Sequence, residues 1–204
     1  NSDGYQTTSE IVDLTVKGDN MCYNWPDFPI IVHGSTGGLI GDTVIICGGH
    51  SAGSFLDECY SLTSEKATLV THMSVGRSGA ASIVINDNIL WVTGGGGLAS
   101  TEYVTLTGTM LGPNLPMIVW SHAMVAINRT CSMVIGGVSY TNYAYYFAST
   151  FFYDQNEGEW ITGPSLMQAR ESHGAGIITD EVTDEHFVVV TGGYYPPPGG
   201  TTVI

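Results

Sequence analysis

Histidine, cysteine and tyrosine are the side chains with which this chain of 204 residues could do chemistry, and it contains six, four and eleven of them. No Cys-x-x-Cys pair and no zinc-finger spacing of Cys and His occurs, so a zinc site has no support. The acidic stretch 180–185 lacks the spaced oxygen ligands and the turn glycine of a calcium loop. We therefore predict no catalytic residue, no metal site and no cofactor.

The charge of the chain limits its partners. Five Lys and Arg residues stand against 19 Asp and Glu residues, which gives a formal net charge of −14. Such a surface repels phosphate groups, so we predict no nucleic-acid partner. The chain also lacks an apolar run of 18 residues, which predicts no membrane insertion, and its apolar content of 43% argues against disorder.

A diglycine follows an apolar, β-branched run four times, at 43–49, 89–95, 131–137 and 187–193. A recurrence of roughly 40 to 50 residues with strand-like segments is typical of propeller blades. Glycines at such points allow backbone conformations that are closed to residues with a Cβ atom. The eight predicted structural glycines are Gly48, Gly49, Gly94, Gly95, Gly136, Gly137, Gly192 and Gly193.

A second set of strand-like segments recurs in the same register, at 9–15, 57–63, 101–107 and 149–155. Further alternating segments precede three of the diglycines, and no segment has a convincing helical period. Each unit is therefore predicted to be a run of short strands joined by turns. The fold class that follows is all-β.

These units resemble the repeat of the kelch family, in which Arg-x-x-His precedes a strand that ends in Gly-Gly, and Tyr-Asp and a Trp come later. The units around 57–63 and 101–107 lack the late Trp, so their outer strands are degenerate. The resemblance implies a kelch-type β-propeller of four-stranded antiparallel blades. The matching residues are Arg170, His173, Tyr153, Asp154 and Trp160, with Arg77 and His122 each supplying half of the first element.

The blade boundaries follow from the repeats within a single domain, 1–204. Segments 9–15 and 201–204 are both predicted to be third strands, so the two partial blades cannot simply combine into one. We expect an incomplete segment of a six- or seven-bladed ring, with an independently stable four-bladed ring as the alternative. The predicted units are a partial blade 1–29, blades 30–71, 75–115 and 118–165, and a partial blade 168–204.

Blade strands run a, b, c, d outward from the propeller axis. The a–b turns then lie on one face, which we call the turn face, and the b–c and d–a loops lie on the other, the loop face. The sequon Asn128-Arg129-Thr130 falls in an a–b turn, so we predict that Asn128 is glycosylated at an exposed hairpin tip.

Cys47 and Cys59 fall on neighbouring strands b and c of one blade. Antiparallel neighbours bring Cα atoms within roughly 4.5–5.5 Å, which is compatible with a disulfide. The alternative is a pair of buried thiols. Resemblance to secreted invertebrate kelch proteins, together with the sequon, favours the disulfide. Cys22 and Cys131 fall in different blades and are left unpaired.

Two b–c loops are rich in tyrosine, which combines apolar contact area with a hydroxyl group and suits protein or sugar recognition. The alternative for the longer loop is a hairpin that packs on a neighbouring blade. The candidate ligand-binding residues are Tyr140, Tyr143, Tyr145, Tyr146, Tyr194 and Tyr195, with His50 after the first diglycine.

The expected function is that of a secreted, non-enzymatic propeller that binds other extracellular proteins or glycans, or serves a structural role, through its inter-strand loops. One alternative is part of a galactose-oxidase-like copper enzyme, because kelch propellers include such oxidases. Another alternative is an extracellular coat or filament in which the protein binds copies of itself.

Overall fold

The structure is a computed structural model that describes residues 9–12, 22–141, 143–180, 183, 185–195 and 202–203, with the backbone alone described at 9–12, 22–25 and 202–203. The described residues form β-strands and turns without a helix. No helix long and apolar enough to span a membrane occurs in this part of the chain. The strands are β1 Ser9–Val12, β2 Cys22–Trp25, β3 Thr36–Ile40, β4 Thr43–Cys47, β5 His50–Ser51, β6 Ser54–Phe55, β7 Glu58–Leu62, β8 Ala67–His72, β9 Ala81–Ile85, β10 Ile89–Thr93, β11 Thr101–Thr105, β12 Gly108–Leu111, β13 Ala123–Ala126, β14 Cys131–Ile135, β15 Val138–Ser139, β16 Tyr145–Phe147, β17 Thr150–Asp154, β18 Glu159–Thr162, β19 Gly174–Thr179, β20 His186–Thr191 and β21 Thr202–Val203.

Three sheets have four antiparallel strands each, in the orders β3-β4-β7-β8, β9-β10-β11-β12 and β13-β14-β17-β18. A two-stranded hairpin, β19-β20, follows them, and β1-β2 precedes them. In the first and third sheets a further hairpin occupies the loop between the second and third strands, β5-β6 and β15-β16 respectively. The predicted all-β, propeller-like fold of four-stranded antiparallel sheets is confirmed.

The first strands of successive sheets, β3, β9, β13 and β19, lie side by side. Backbone hydrogen bonds join the segments just before them: the amide of Gly79 donates to Gly34, Ser121 to Gly79, and Ser172 to Ser121, at 2.9, 2.7 and 2.8 Å. All four residues have positive φ, between 50° and 67°. One repeated backbone position therefore links each sheet to the next.

The diglycines are explained by the approach of the next sheet. The second glycine donates its amide to the next sheet, from Gly49 to the Arg77 carbonyl (2.7 Å) and from Gly95 to the Val119 carbonyl (2.9 Å). A Cβ atom on Gly94 would stand 2.8 Å from that same Val119 oxygen, too close for any other residue. Both glycines of the pair also have positive φ, which favours residues without a Cβ atom.

Arg77 is fully buried and joins the first two sheets, because its backbone bonds to Gly49 and Leu56 of the first sheet and its side chain bonds to the second. Its guanidinium pairs with the equally buried Glu102 (2.9 Å) and donates to the carbonyl oxygens of Gly94 (2.9 Å) and Ser100 (2.8 Å). The other Glu102 oxygen accepts the amide of Ser74. Because both charges are paired and hydrogen-bonded, the pair can remain buried.

Cys47 and Cys59 are opposite each other on β4 and β7, with 4.1 Å between their Cα atoms, and form a disulfide. This confirms the predicted bond and excludes the pair of buried thiols. Cys131 is a free, half-buried cysteine. The side chain of Cys22 lies outside the described residues.

The ends of the chain depart from the predicted strand pattern. Thr202–Val203 pairs in parallel with the free edge of β16 and not beside β20, so the third strand predicted at 201–204 is wrong. At the other end, β1 pairs with β2. The rest of the segment 1–21, with residues 196–201 and 204, lies outside the described residues, so the boundaries of the two partial blades stay predictions.

Candidate functional site

The loop face is built from two repeated positions, one just before each first strand and one just after each diglycine. The backbones of His33 and His50 exchange hydrogen bonds there, and Trp120 pairs with Val138 in the same way. Glu171 and Tyr194 form the equivalent pair, with both bonds at 2.9 Å. The sequence places aromatic or acidic side chains at most of these positions, and the fold presents them on one surface.

Five rings form a continuous line on this face, which we call the aromatic row: His33, His50, Phe55, Trp120 and Tyr140. The four successive centroid distances are 5.0, 5.6, 5.3 and 5.9 Å, with interplanar angles from 61° to 87°. Edge-to-face contacts of this kind stabilise the rings in fixed orientations. Phe55 is 41% exposed and Tyr140 52% exposed, so the row is accessible from outside.

Two glycines of the second sheet lie against the aromatic row. The chain continues past its diglycine with Gly96 and Gly97, which have positive φ. A Cβ atom on Gly96 would touch the Phe55 ring at 3.5 Å, and one on Gly97 would touch the Trp120 ring at the same distance. These are ordinary contact distances to the rings, but a longer side chain on either residue could enter the space in which Phe55 of the first sheet meets Trp120 of the third.

A carboxylate and further tyrosines extend the row. The Tyr140 hydroxyl donates to the two carboxylate oxygens of Glu171 at 3.4 and 3.5 Å. Burial raises the pKa of Tyr140 to about 12, and the Glu171 charge acts in the same direction, so this phenol remains protonated. Tyr146 and Tyr194 contact each other with ring centroids 5.5 Å apart.

The structure brings some of the predicted binding residues together. His50 and Tyr140 belong to the aromatic row, and Tyr146 and Tyr194 lie beside Glu171. Tyr143 is 73% exposed at the end of the β15-β16 hairpin, Tyr195 is also exposed, and Tyr145 is half-buried. The alternative for the longer loop was a hairpin that packs on a neighbouring blade. Phe147 of this hairpin does pack in that way, against the core cluster that contains Trp91.

Sequence reasoning missed Phe55, Trp120 and Glu171. Trp120 and Glu171 occupy the same repeat position, two residues before a histidine, and an alignment of the units on that position would have identified them. Phe55 has no such signal, because it depends on the short β5-β6 hairpin that follows His50.

Residues 49–53 read Gly-His-Ser-Ala-Gly, the Gly-x-Ser-x-Gly pattern of hydrolase nucleophiles. In those enzymes the serine stands at a sharp turn between a strand and a helix. Here Ser51 ends β5 and pairs with Ser54 across a hairpin turn formed by Ala52 and Gly53. The structural context of a nucleophile is therefore missing, and the motif is a tight β-turn.

The cysteines and histidines bear on the copper-enzyme alternative. Among the described residues, no three His, Cys, Asp or Glu side chains meet in a group that could hold a metal ion. Cys59, which precedes Tyr60, is used in the disulfide with Cys47. His122 is buried, and its Nε2 atom lies 2.9 Å from the Thr93 hydroxyl of the preceding sheet. His122 therefore lies between the second and third sheets and bonds to the protein, not to a metal-binding group of described residues.

On the turn face, Asn128 is exposed between β13 and β14. Its Oδ1 atom accepts hydrogen bonds from the amides of Thr130 and Cys131, both at 2.9 Å, and from the Thr130 hydroxyl. The sequon thus forms a compact turn at the hairpin tip, as its placement predicted. A cavity of about 580 Å³ lies beside it, between this turn and the β9-β10 turn.

Comparisons with known proteins address the fold alone. No protein-family model and no curated protein matches the sequence. The solved structure of YjhT is similar, with a TM-score of 0.70, 13% sequence identity, and coverage of 85% of this chain and 70% of YjhT. At this identity the likeness supports the propeller-like arrangement of antiparallel four-stranded sheets and carries no statement about activity.

Proposed function

We propose that this chain is a non-enzymatic binding module of the kelch type, and that the loop face is its binding surface. The aromatic row carries the proposal: loops from separate sheets place half-buried and exposed rings in contact on one face. Aromatic side chains on a rigid scaffold supply a large contact area at low cost in conformational entropy. The ligand on this reading is an extracellular protein or a glycan.

Kelch identity is supported by the positions of the motif residues. Arg77 and Arg170 each donate to the carbonyl of the first glycine in their own diglycine, Gly94 and Gly192. Tyr153 and Trp160 are opposite each other on β17 and β18, with their rings 4.9 Å apart. The repeat residues thus make repeated contacts, which supports a shared blade design.

Secretion and glycosylation are part of the same proposal. The Cys47–Cys59 bond favours an oxidising compartment, since cytosolic proteins rarely keep structural disulfides. Asn128 is exposed at a hairpin tip, on the face opposite the aromatic row, where an oligosaccharide would leave the proposed binding surface free. Peptide mapping of material from a eukaryotic secretion host, with and without glycosidase, tests the modification.

A selection experiment tests the binding role. Wild-type protein is screened against arrayed glycans and a displayed peptide library, and each selected ligand is measured with Phe55→Ser, Tyr140→Ser and Tyr194→Ser. Leu106→Ser, at an exposed turn between β11 and β12, is the matched control. We expect the three loop-face variants to lose the ligand and the control to keep it. Ligands that bind all four variants equally would place the binding surface elsewhere.

Self-assembly is the second candidate, and exposed apolar side chains on both end sheets favour it. Leu39 on the first sheet and Ile178, Phe187 and Val189 on the last hairpin are exposed. Contact between unlike ends of two copies would be heterologous and could extend into a filament. Sedimentation over a range of concentrations tests this: association that Phe187→Ser abolishes supports it, and a monomer at every concentration contradicts it.

A further inference from the structure

A cleft of about 170 Å³ opens beside the aromatic row. Trp120 and Tyr140 both line it, with rings at 87° to each other, so a group placed in the angle between them would meet one face of each ring. The faces of aromatic rings carry the negative part of their quadrupole and attract cations. The lining residues are Gly97, Ile118, Trp120, Ser139, Tyr140 and Thr141.

The polar groups around this cleft are acidic or neutral. Ser139 and Thr141 contribute hydroxyl groups that are 3.0 Å apart, and the Glu171 carboxylate lies beyond the Tyr140 hydroxyl. Among the described residues, no basic side chain lines the cleft. A cation there would meet two ring faces and a nearby negative charge.

The basic side chains of the described residues are placed away from the cleft or are already engaged. Lys66 and Arg129 lie in turns of the turn face. On the loop face, Arg77 is buried against Glu102, and Arg170 donates to the Gly192 carbonyl. None of these four cations lines the cleft, so the strongly negative net charge of −14 favours a cationic ligand there.

The size of the cleft indicates what kind of ligand it accepts. Sites for whole small molecules usually enclose roughly 300–1,000 Å³, and this cleft is smaller. It suits a single protruding head group that belongs to a larger partner. Tyr, Trp and acidic groups around such a pocket match the flat or tetrahedral cationic heads of Arg and Lys.

We propose that the Trp120–Tyr140 cleft binds the cationic head of a Lys or Arg side chain, presented by a basic segment of a partner protein. This inference rests on the proposed role of the loop face and names the chemistry of its ligand. Trp120 and Tyr140 hold the cation between their faces, and Glu171 supplies the opposite charge. The shallow glycine loop at Gly97 leaves the approach to Trp120 open.

The experiment compares hexalysine with the same peptide acetylated on every side-chain amine, by calorimetry at about 0.15 M ionic strength, where exposed charges beyond about 8 Å are screened. Acetylation removes the charge and keeps the length, so we expect binding of hexalysine alone. Tyr140→Leu and Trp120→Leu remove one ring each, and Tyr140→Phe keeps the ring. We expect the Leu variants to raise Kd about fivefold to tenfold and the Phe variant to leave it within about twofold.

Charge variants separate the cleft from general attraction to an acidic protein. Glu171→Gln and Asp87→Asn remove the same charge, one beside the cleft and one on the turn face. We expect only Glu171→Gln to weaken binding. Equal binding of the acetylated peptide, or equal effects of the two charge variants, overturns the inference. If the earlier selection yields a neutral glycan that still needs Tyr140, the proposed function stands and the cationic ligand is excluded.

Discussion

The second sheet, 81–111, and the last hairpin, 174–191, carry the same sequence signature but differ in how they are enclosed. Trp91 in the second strand of the sheet is fully buried, whereas Val189, at the matching place before the diglycine of the hairpin, is 41% exposed. A Cβ atom on Gly94 would collide with Val119, while one on Gly192 would meet nothing within 4 Å among the described residues. The signature therefore encodes contacts between sheets. The hairpin has a neighbouring sheet on one side among the described residues, so only some of the contacts that the signature encodes are made there.

The two arginines of the signature should give the largest difference. Arg77→Met leaves the buried Glu102 carboxylate without its partner, so we expect the free energy of unfolding to fall by about 3–5 kcal/mol. Arg170→Met removes a hydrogen bond from a partly exposed guanidinium to Gly192, and we expect a loss of about 1–2 kcal/mol. Urea denaturation measures both, and equal losses would contradict the comparison.

A double variant checks the cause of the larger loss. Replacing both partners, Arg77→Met with Glu102→Leu, removes the unpaired charge. We expect it to recover much of the stability lost in the single variant, because apolar side chains of similar size often replace a buried ion pair without penalty. A double variant as unstable as Arg77→Met alone would assign the loss to the carbonyl contacts at Gly94 and Ser100.

The disulfide should give the next largest effect. It joins the second and third strands of the first sheet, which among the described residues has one neighbouring four-stranded sheet, the second. The two cysteines are 12 residues apart, and closing a loop of this size contributes about 3 kcal/mol in the chain-entropy model. Unfolding of Cys59→Ala measures this loss. Cys131→Ala, at a free cysteine, is the control and should cost about 1 kcal/mol or less.

Alanine substitutions at Gly94 and Gly192 test directly the difference in enclosure between the second sheet and the last hairpin. Gly94 and Gly192 have positive φ, so an alanine at either position strains the backbone by about 1–2 kcal/mol. Gly94→Ala must also displace the Val119 carbonyl, and we expect it to destabilise by at least about 1 kcal/mol more than Gly192→Ala. Equal losses in denaturation experiments would show that another part of the chain covers Gly192.

Much of the fold could be predicted from the sequence because the repeat is strong. Glycines before a close approach, strand-like runs of Val and Ile, and cysteines in neighbouring strands each have a local physical reason at a fixed spacing. The pair Arg77–Glu102 could not be predicted in this way, since Glu58 stands at the same repeat position in the first sheet but Val32 takes the place of the arginine there. Pairing of 202–203 with β16 depends on which strand edge is free, which no local pattern records.

The loop face was predicted in part, also because of the repeat. Tyrosine-rich loops can be recognised in the sequence, and the repeat assigns them to one face. Contact between Phe55 and Trp120 requires that the first and third sheets approach each other across the glycines of the second. That distance follows from how tightly the sheets stack, which is a property of the whole fold and not of a segment.

The histidines of the signature should show the smallest and most gradual difference, in the pH dependence of stability. Burial lowers the pKa of His122 to about 3, and the neighbouring His173 acts in the same direction. An unfolded chain takes up this proton near pH 6.5. Between those two values the unfolded state holds more protons than the folded state, so stability falls as the pH falls, by at most about 1.4 kcal/mol per pH unit for one histidine.

Burial also lowers the pKa of His173, followed in importance by the charge of Arg170, so its effect on stability has the same sign. Because His173 stands between the third sheet and the less enclosed hairpin, His122→Gln should flatten the dependence of unfolding free energy on pH more than His173→Gln. Measurements between about pH 5 and 6.5 avoid most of the carboxylate titration. If His173→Gln flattens the curve as much as His122→Gln, water is excluded equally from the junction between the third sheet and the hairpin and from the junction between the second and third sheets. The proposed difference in enclosure between the hairpin and the inner sheets would then be wrong.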